Sequence, residues 1–330
     1  MSVLWCGAED VDFPNGSPIT IDTGGTSYRT AYARCSLRPT AAGTYLKGLT
    51  FPGGPITSGW LRAYLYCSGG TSGLQMMVGF GKSGTNSGLG ICHQNTSSTL
   101  HILSMNAGTT TALATVNNVF SDLILVRIDM QVINFGTTNT VNVYVNGAFT
   151  ATYTGAISIP GVTNFDQVFI GDPGAGFCWL SEIIVSDEST LAWQGLASCA
   201  PSGNGTTQQW SNPAFTNFNP VTINDANSTF SNTVGQDEQA TLVAIPAGNF
   251  QIKAVKVIAR ALATAGATAT QVKLGFNNTN NATVAVGAAH ALITGFSPVE
   301  DYFATDPTSA GGTGPWGTSL TGYQLDMRSN

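Results

Sequence analysis

Carboxylates, histidines and cysteines are the side chains through which this 330-residue chain could do chemistry. Retaining glycoside hydrolysis needs two carboxyl groups about 5 Å apart. Alternate residues of a strand share one face, so a Glu-x-Asp-x-x-Glu run would supply such a pair. Glu182 opens a window of this kind, but Ile184 stands where the Asp would be. Asp187 and Glu188 follow too late, in turn-like sequence. Glu9, Asp10 and Asp12 form a second acidic group, which reads as an exposed loop. With help from Asp172 it would offer the oxygen ligands that Ca²⁺ takes; the exposed loop is the simpler reading, and no metal site is assigned.

The three histidines are His93, His101 and His290, with neither a zinc-protease HExxH nor a nucleophile-elbow GxSxG. His93 and His101 fit adjacent strands, but no carboxylate stands near them in sequence, so they read as satisfied residues. Gly81-Lys82-Ser83 resembles the end of a phosphate loop, yet the first glycine of that motif would fall on Met76. Six dispersed cysteines, Cys6, Cys35, Cys67, Cys92, Cys178 and Cys199, contain no CxxC pair. Zinc and redox chemistry therefore lack support. The cysteines read as small buried hydrophobes, or as disulfides formed after release from a cell. No catalytic, cofactor or metal residue is assigned, and the chain reads as a non-enzyme.

The totals agree. Charged residues are 9% of the chain, against roughly 25% in an average soluble protein. Hydrophobic residues reach 42% and Gly numbers 39, which suits many short strands joined by turns rather than disorder. Residues 1–198 carry 11 acidic and 7 basic groups, and residues 199–330 carry 7 and 5. Neither part is a basic platform, which argues against nucleic-acid binding. No apolar run is long enough to span a membrane. The first ten residues have neither a basic start nor an apolar stretch, so no signal peptide is expected. Few charges also mean little repulsion between copies, and a homo-oligomer is expected.

The elements that must position these residues are strands. In 140–187, Val141, Val143 and Val145 alternate with Asn142, Tyr144 and Asn146, the period of a half-buried strand. Asn146-Gly147 is a strong hairpin signal, because a type I′ turn needs positive φ at both central residues. Phe149, Ala151 and Tyr153 then share one face of the return strand. Upstream, strands are expected over 19–23, 28–37, 45–51, 60–67, 74–80, 89–94, 100–105 and 111–116, with 122–132 the most apolar and central. In 60–67, Trp60, Ala63, Leu65 and Cys67 read as core. Regular short strands between turns indicate a sandwich or jelly roll. Residues 199–207 read as a linker. Beyond it, 251–261 and 271–276 are expected to pair as a hairpin. Trp5, Trp60 and Trp179 fall in strand patterns and read as core. Trp193, Trp210 and Trp316 lie in loop-like surroundings and are the interface candidates.

Several stretches carry a resemblance. Val141 to Gly147, the return strand, and Phe165 to Ser186 resemble the concanavalin A-like, laminin G-like sandwich. The opening Leu4-Trp5-Cys6-Gly7-Ala8-Glu9-Asp10 resembles the openings of virion proteins of tailed bacteriophages. Asn224 to Asn227, Ile245 to Gly248, Ile252 to Val257 and Phe303 to Thr308 resemble a C-terminal module of phage appendage proteins. The fold this implies is all-β, two β-sandwich (jelly-roll-like) domains in tandem: 1–198, a linker 199–207, and 208–330. The function it implies is a non-enzymatic structural virion protein on the outer tail, collar or fibre assembly. Such a protein is made in the host cytoplasm, needs no cofactor, and binds other virion subunits and the host surface. By analogy with phage appendages the oligomer would be a trimer. A capsid decoration protein is the near alternative. A protein that binds or depolymerises host polysaccharide is a further one. The same resemblance sets the first strand beside the last, so residues 3–6 would pair with 177–180. A disulfide between Cys6 and Cys178 would follow from that register.

Overall fold

The computed structural model describes residues 3–7, 12–13, 19–30, 32–40, 45–51, 53–68, 74–94, 98–119, 121–136, 138–171, 177–187, 196–213, 215–218, 225–245, 251–280 and 282–330. The chain divides into two compact units, Met1–Leu196 and Ala197–Asn330. Both are built of antiparallel strands, and both are β-sandwiches.

The first unit begins with β1 (Val3–Gly7), β2 (Ile19–Asp22), β3 (Ser36–Pro39), β4 (Tyr45–Lys47) and β5 (Gly59–Ser68). The middle strands are β6 (Val78–Gly81), β7 (Gly88–Gln94), β8 (Thr99–Asn106) and β9 (Thr109–Val116). The last are β10 (Leu125–Ile133), β11 (Asn139–Val145), β12 (Ala148–Gly155), β13 (Gln167–Gly171) and β14 (Phe177–Ser186). An eight-stranded sheet runs β12-β11-β10-β5-β14-β3-β2, with β1 also paired to β14. A six-stranded sheet runs β4-β13-β6-β7-β8-β9. Asn146 (φ 51°) and Gly147 (φ 86°) form the expected turn between β11 and β12. A Cβ on Gly147 would meet only the mobile end of the Arg127 side chain, so it is the positive φ that calls for glycine there.

Strand alternation decides what faces what. On β5, Leu61, Ala63, Leu65 and Cys67 are buried in the sandwich. Trp60, Arg62, Tyr64 and Tyr66 lie between them and point to the opposite, outer face. Trp60 is buried, as expected of a core residue, although it leaves the strand on the outer face. The core reading of Trp179 is corrected, because it is only half-buried and stands opposite Tyr66 on that outer face. The side chain of Trp5 lies outside the described residues.

Two further expectations change in this unit. The strand read over 28–37 begins only at Ser36. Before it the chain turns, because the Arg29 carbonyl accepts from both Tyr32 and Ala33, and the Tyr28 hydroxyl donates to the Thr23 carbonyl. The first strand does pair with the last, but in another register. Cys6 stands opposite Ile184, roughly 20 Å along the strand from Cys178 at about 3.3 Å per residue. A Cys6–Cys178 disulfide is excluded by that distance.

The second unit contains β15 (Pro201–Gln208), β16 (Asp237–Leu242), β17 (Val255–Ala261) and β18 (Gln271–Asn278). It ends with β19 (Thr283–Val286), β20 (His290–Ala291), β21 (Ser297–Phe303) and β22 (Tyr323–Ser329). One sheet runs β15-β16-β22-β18-β19 with β20 on β18, and β17 pairs with β21 as a second layer. Val257, Val299 and Phe303 of that layer pack with Val272, Leu274, Phe276 and Met327 of the larger sheet.

The segment 199–207, read as a linker, is largely strand β15. Its glycine- and threonine-rich sequence carries no apolar alternation. It is held by pairing with β16 and by side-chain bonds such as Thr206 Oγ1 to Gln239 Oε1, 2.8 Å. The hairpin expected between 251–261 and 271–276 does not form either. β17 pairs with β21 instead, where Lys256 Nζ lies 3.6 Å from Glu300.

Candidate functional site

The outer face of the eight-stranded sheet carries two ion pairs with buried carboxylates. Pairing of β14 with β5 slips between Ser181 and Ile184, and Glu182 sits in that bulge at φ 51°. Bulges re-aim side chains, and this one sends Glu182 to Arg29. Arg29 Nε donates to Glu182 Oε2 and the terminal nitrogen to Oε1, each at 2.7 Å. The guanidinium lies 4.2 Å from the ring centres of both Tyr32 and Tyr64. Burial pushes the Glu182 carboxyl up; the bonds from Arg29 and the charge of Arg62 oppose that shift and do not cancel it.

A second ion pair lies on the neighbouring strands. Asp129, opposite Arg62 in register, accepts from Arg62 Nε at 2.5 Å, and Arg127 Nε lies 3.1 Å away. Beyond it an aromatic row leads to the sheet edge. Trp60 and Tyr144 are 5.5 Å apart, and Tyr144 and Phe149 5.6 Å. Phe149 ends the row with 59% of its surface exposed. Beside it lies a shallow, open depression of about 450 Å³, lined by Phe149, Thr150, Asn146, Asn117, Asn118 and Val119 among others. Among the described residues no charged side chain lines it.

The other residues singled out in the sequence are placed as follows. His93 and His101 do lie on the paired strands β7 and β8, but His101 stands opposite Cys92, so the two rings leave opposite faces. His101 bonds to Thr115 and Gln94 at 3.0 and 3.1 Å, and burial holds its pKa down. Lys82 Nζ and the Ser83 hydroxyl and amide all bond to Asp166, which occupies the donors a phosphate would need. Burial raises the Asp166 carboxyl, but those bonds outweigh it and hold the pKa below its ordinary value. Glu9, Asp10 and Asp172 lie outside the described residues, and so does Trp193. Among the described residues no group of three or more His, Cys, Asp or Glu is set to hold a metal.

Trp316 is 2% exposed and donates through its indole to the Phe303 carbonyl at 2.8 Å. It stands at the centre of the second unit's core against Phe276 and Tyr323, so the interface reading of this residue is corrected. Its loop-like surroundings do not keep it at the surface, because the ring is folded inward. Trp210 is half-buried against the same core, with its indole donating to the Gln236 carbonyl at 3.0 Å. What sequence reasoning missed is the Arg29–Glu182 pair. Glu182 was marked by its type, but its partner is 153 residues away and no local pattern announces it.

No protein-family model matches the chain, and no curated protein matches it either. Solved structures do align with parts of it. An endo-β-1,4-glucuronan lyase from the fungus Trichoderma reesei is 12% identical, covering 57% of this chain and 96% of its own, with a TM-score of 0.37. A carbohydrate-binding module, CBM66, from Bacillus subtilis is 7% identical over 52% of this chain and 97% of its own, TM-score 0.34. The globular domain of T. cruzi calreticulin is 12% identical over 57% and 88%, TM-score 0.35. At such identities and scores neither activity nor ligand is carried over to this chain.

Proposed function

We propose that this chain is a non-enzymatic structural protein of a tailed-phage particle, on its outer tail, collar or fibre assembly. It binds other virion subunits and the host surface. The observation that supports a non-enzymatic role is the pairing of charges on the outer face of the eight-stranded sheet. Glu182 and Asp129, its two buried carboxylates, are each held by guanidinium groups at 2.5–3.1 Å. Groups bound in this way serve structure rather than proton transfer. Large apolar side chains remain at the surface of the same unit: Phe149 at 59%, Leu123 at 54% and Ile124 at 52% exposure. These suit contact with another protein. The phage context rests on the sequence resemblance alone. Immunogold labelling of intact particles tests it. Gold is expected on the tail, collar or fibres; gold on the capsid alone would assign a decoration role, and unlabelled particles would overturn the proposal.

The exposed Phe149 ring among the amides of a shallow depression favours a second reading, in which the host-surface ligand is a neutral glycan. Sugar hydroxyls bond to amides such as Asn117, Asn118 and Asn146, and the C–H face of a pyranose stacks on an aromatic ring. Phe149→Ala is then expected to weaken oligosaccharide binding about tenfold, the equivalent of roughly 1.4 kcal/mol. Glycan arrays followed by titration calorimetry measure this. Absence of any glycan binding by the full chain ends the second reading, and release of reducing ends would replace it with a depolymerase.

A further inference from the structure

Cys67 and Cys178 face each other across β5 and β14. Both are buried, at 3% and 0% exposure, and all six cysteines stand as thiols. The next pair on the same face, Leu65 and Leu180, is also buried, so both cysteine side chains point into the sandwich. The kind of pairing follows from the backbone. The Cys67 carbonyl accepts from the Leu123 amide, on the β10 side. On β10 the Arg127 carbonyl accepts from Asn146 on the β11 side, so Val126, Ile128 and Met130 turn toward β5. Their partners Leu65, Ala63 and Leu61 are odd-numbered like Cys67. Odd positions of β5 therefore bond to β10, and across β14 Cys67 and Cys178 form a non-hydrogen-bonded pair. Such pairs bring Cα atoms to about 4.5 Å, inside the roughly 4.4–6.8 Å that disulfides span.

We propose that Cys67 and Cys178 are the site of an intrachain disulfide, formed when the protein meets a small disulfide oxidant such as oxidised glutathione. One cysteine thiolate attacks the oxidant and forms a mixed disulfide, releasing one glutathione thiolate. The second cysteine thiolate attacks the protein sulfur of that intermediate and releases the other. Two S–H bonds are exchanged for one S–S bond, and one oxidised glutathione becomes two reduced ones. Entry of the oxidant does not require global unfolding. Cys67 is the penultimate residue of β5 and Cys178 the second of β14, so opening of these strand ends exposes both thiols. The inference stands on register alone and is independent of the function proposed above.

The full chain, denatured and reduced, is refolded with a mixture of reduced and oxidised glutathione, then alkylated and mapped as peptides without reduction. A Cys67–Cys178 cross-linked peptide is expected as the main disulfide product. It should persist in Cys6→Ser and vanish in Cys67→Ser. The first-unit melting temperature should fall by about 5–10 °C when dithiothreitol is added, because the bridge closes a long loop of the unfolded chain. Recovery of both cysteines as alkylated thiols, or of Cys178 linked to any other cysteine, overturns the proposal.

Discussion

Replacing Arg29 with methionine is expected to destabilise the first unit by about 3 kcal/mol at pH 8, the scale of removing one member of a buried ion pair. Glu182 is 1% exposed, and Arg29 supplies the hydrogen bonds to its two oxygens at 2.7 Å. Methionine retains much of the apolar stem between Tyr32 and Tyr64 but removes the charge. The carboxylate would then be buried beside Arg62 without the bonds that hold it. The loss should depend on pH. In the native protein the Glu182 carboxyl already lies above its ordinary value of 4.5, because burial outweighs Arg29. A raised carboxyl contributes stability below the unfolded pKa that is lost as pH climbs through the folded one. Removing Arg29 raises the folded pKa further and widens that window upward. The Arg29→Met penalty should therefore be largest at pH 8 and shrink toward pH 4. Glu182→Gln added to Arg29→Met should recover most of it. Scanning calorimetry of the full chain reads the transition that moves. A loss under ~0.5 kcal/mol at pH 8 would show that the pair is only a surface contact.

Asp326 is expected to make the second unit lose stability as pH rises from about 4 to about 6. It is 0% exposed, and its carboxyl is pushed up to about 6 from 3.8. Burial is the main cause and the neighbouring charge of Asp237 adds to it; Gln239, donating at 2.7 Å, and Arg328 work against it. Below pH 3.8 the group is neutral in both folded and unfolded chains and costs nothing. Between the two values the unfolded chain ionises first, so unfolding gains. The gap from 3.8 to about 6 amounts to ~3 kcal/mol once pH exceeds the folded value. Asp326→Asn should flatten most of this slope. It would not simply stabilise, because Asp326 Oδ2 has no hydrogen-bond partner and an amide there would bury an unmatched donor. Glu238, also 0% exposed and raised by burial, supplies the slope that remains. Melting of both proteins from pH 3.5 to 8 measures the effect. A parallel pair of profiles would show that Asp326 ionises freely in the folded state.

Some local signals in this sequence held, while those that depend on how distant strands meet did not. Asn146-Gly147 announced its turn because two positive φ values are a property of two adjacent residues. The apolar stretch in 122–132 announced a central strand because β10 is covered by β5 on one side and β11 on the other. The period of two carried the all-β fold. It could not say that β14 would bulge at Glu182, nor that Arg29 would meet it, because both depend on how separate strands slide against each other. The same ignorance of register misassigned Cys178. β17 pairs with β21 rather than β18, and hydrophobic periodicity alone does not choose between strands of similar pattern. β15 was hidden for a different reason. Its Ser, Gly, Asn and Thr residues have linker composition, and only the side-chain network around Gln239 shows why they are ordered.

The most direct measurement of the proposed role is a quantitative mass-spectrometric inventory of gradient-purified phage particles. Peptides of this chain are expected in every intact-particle fraction, at a constant ratio to the major tail proteins and in several copies per particle. A protein found only in the lysate, and absent from particles that contain their full set of tail proteins, would contradict a structural virion role.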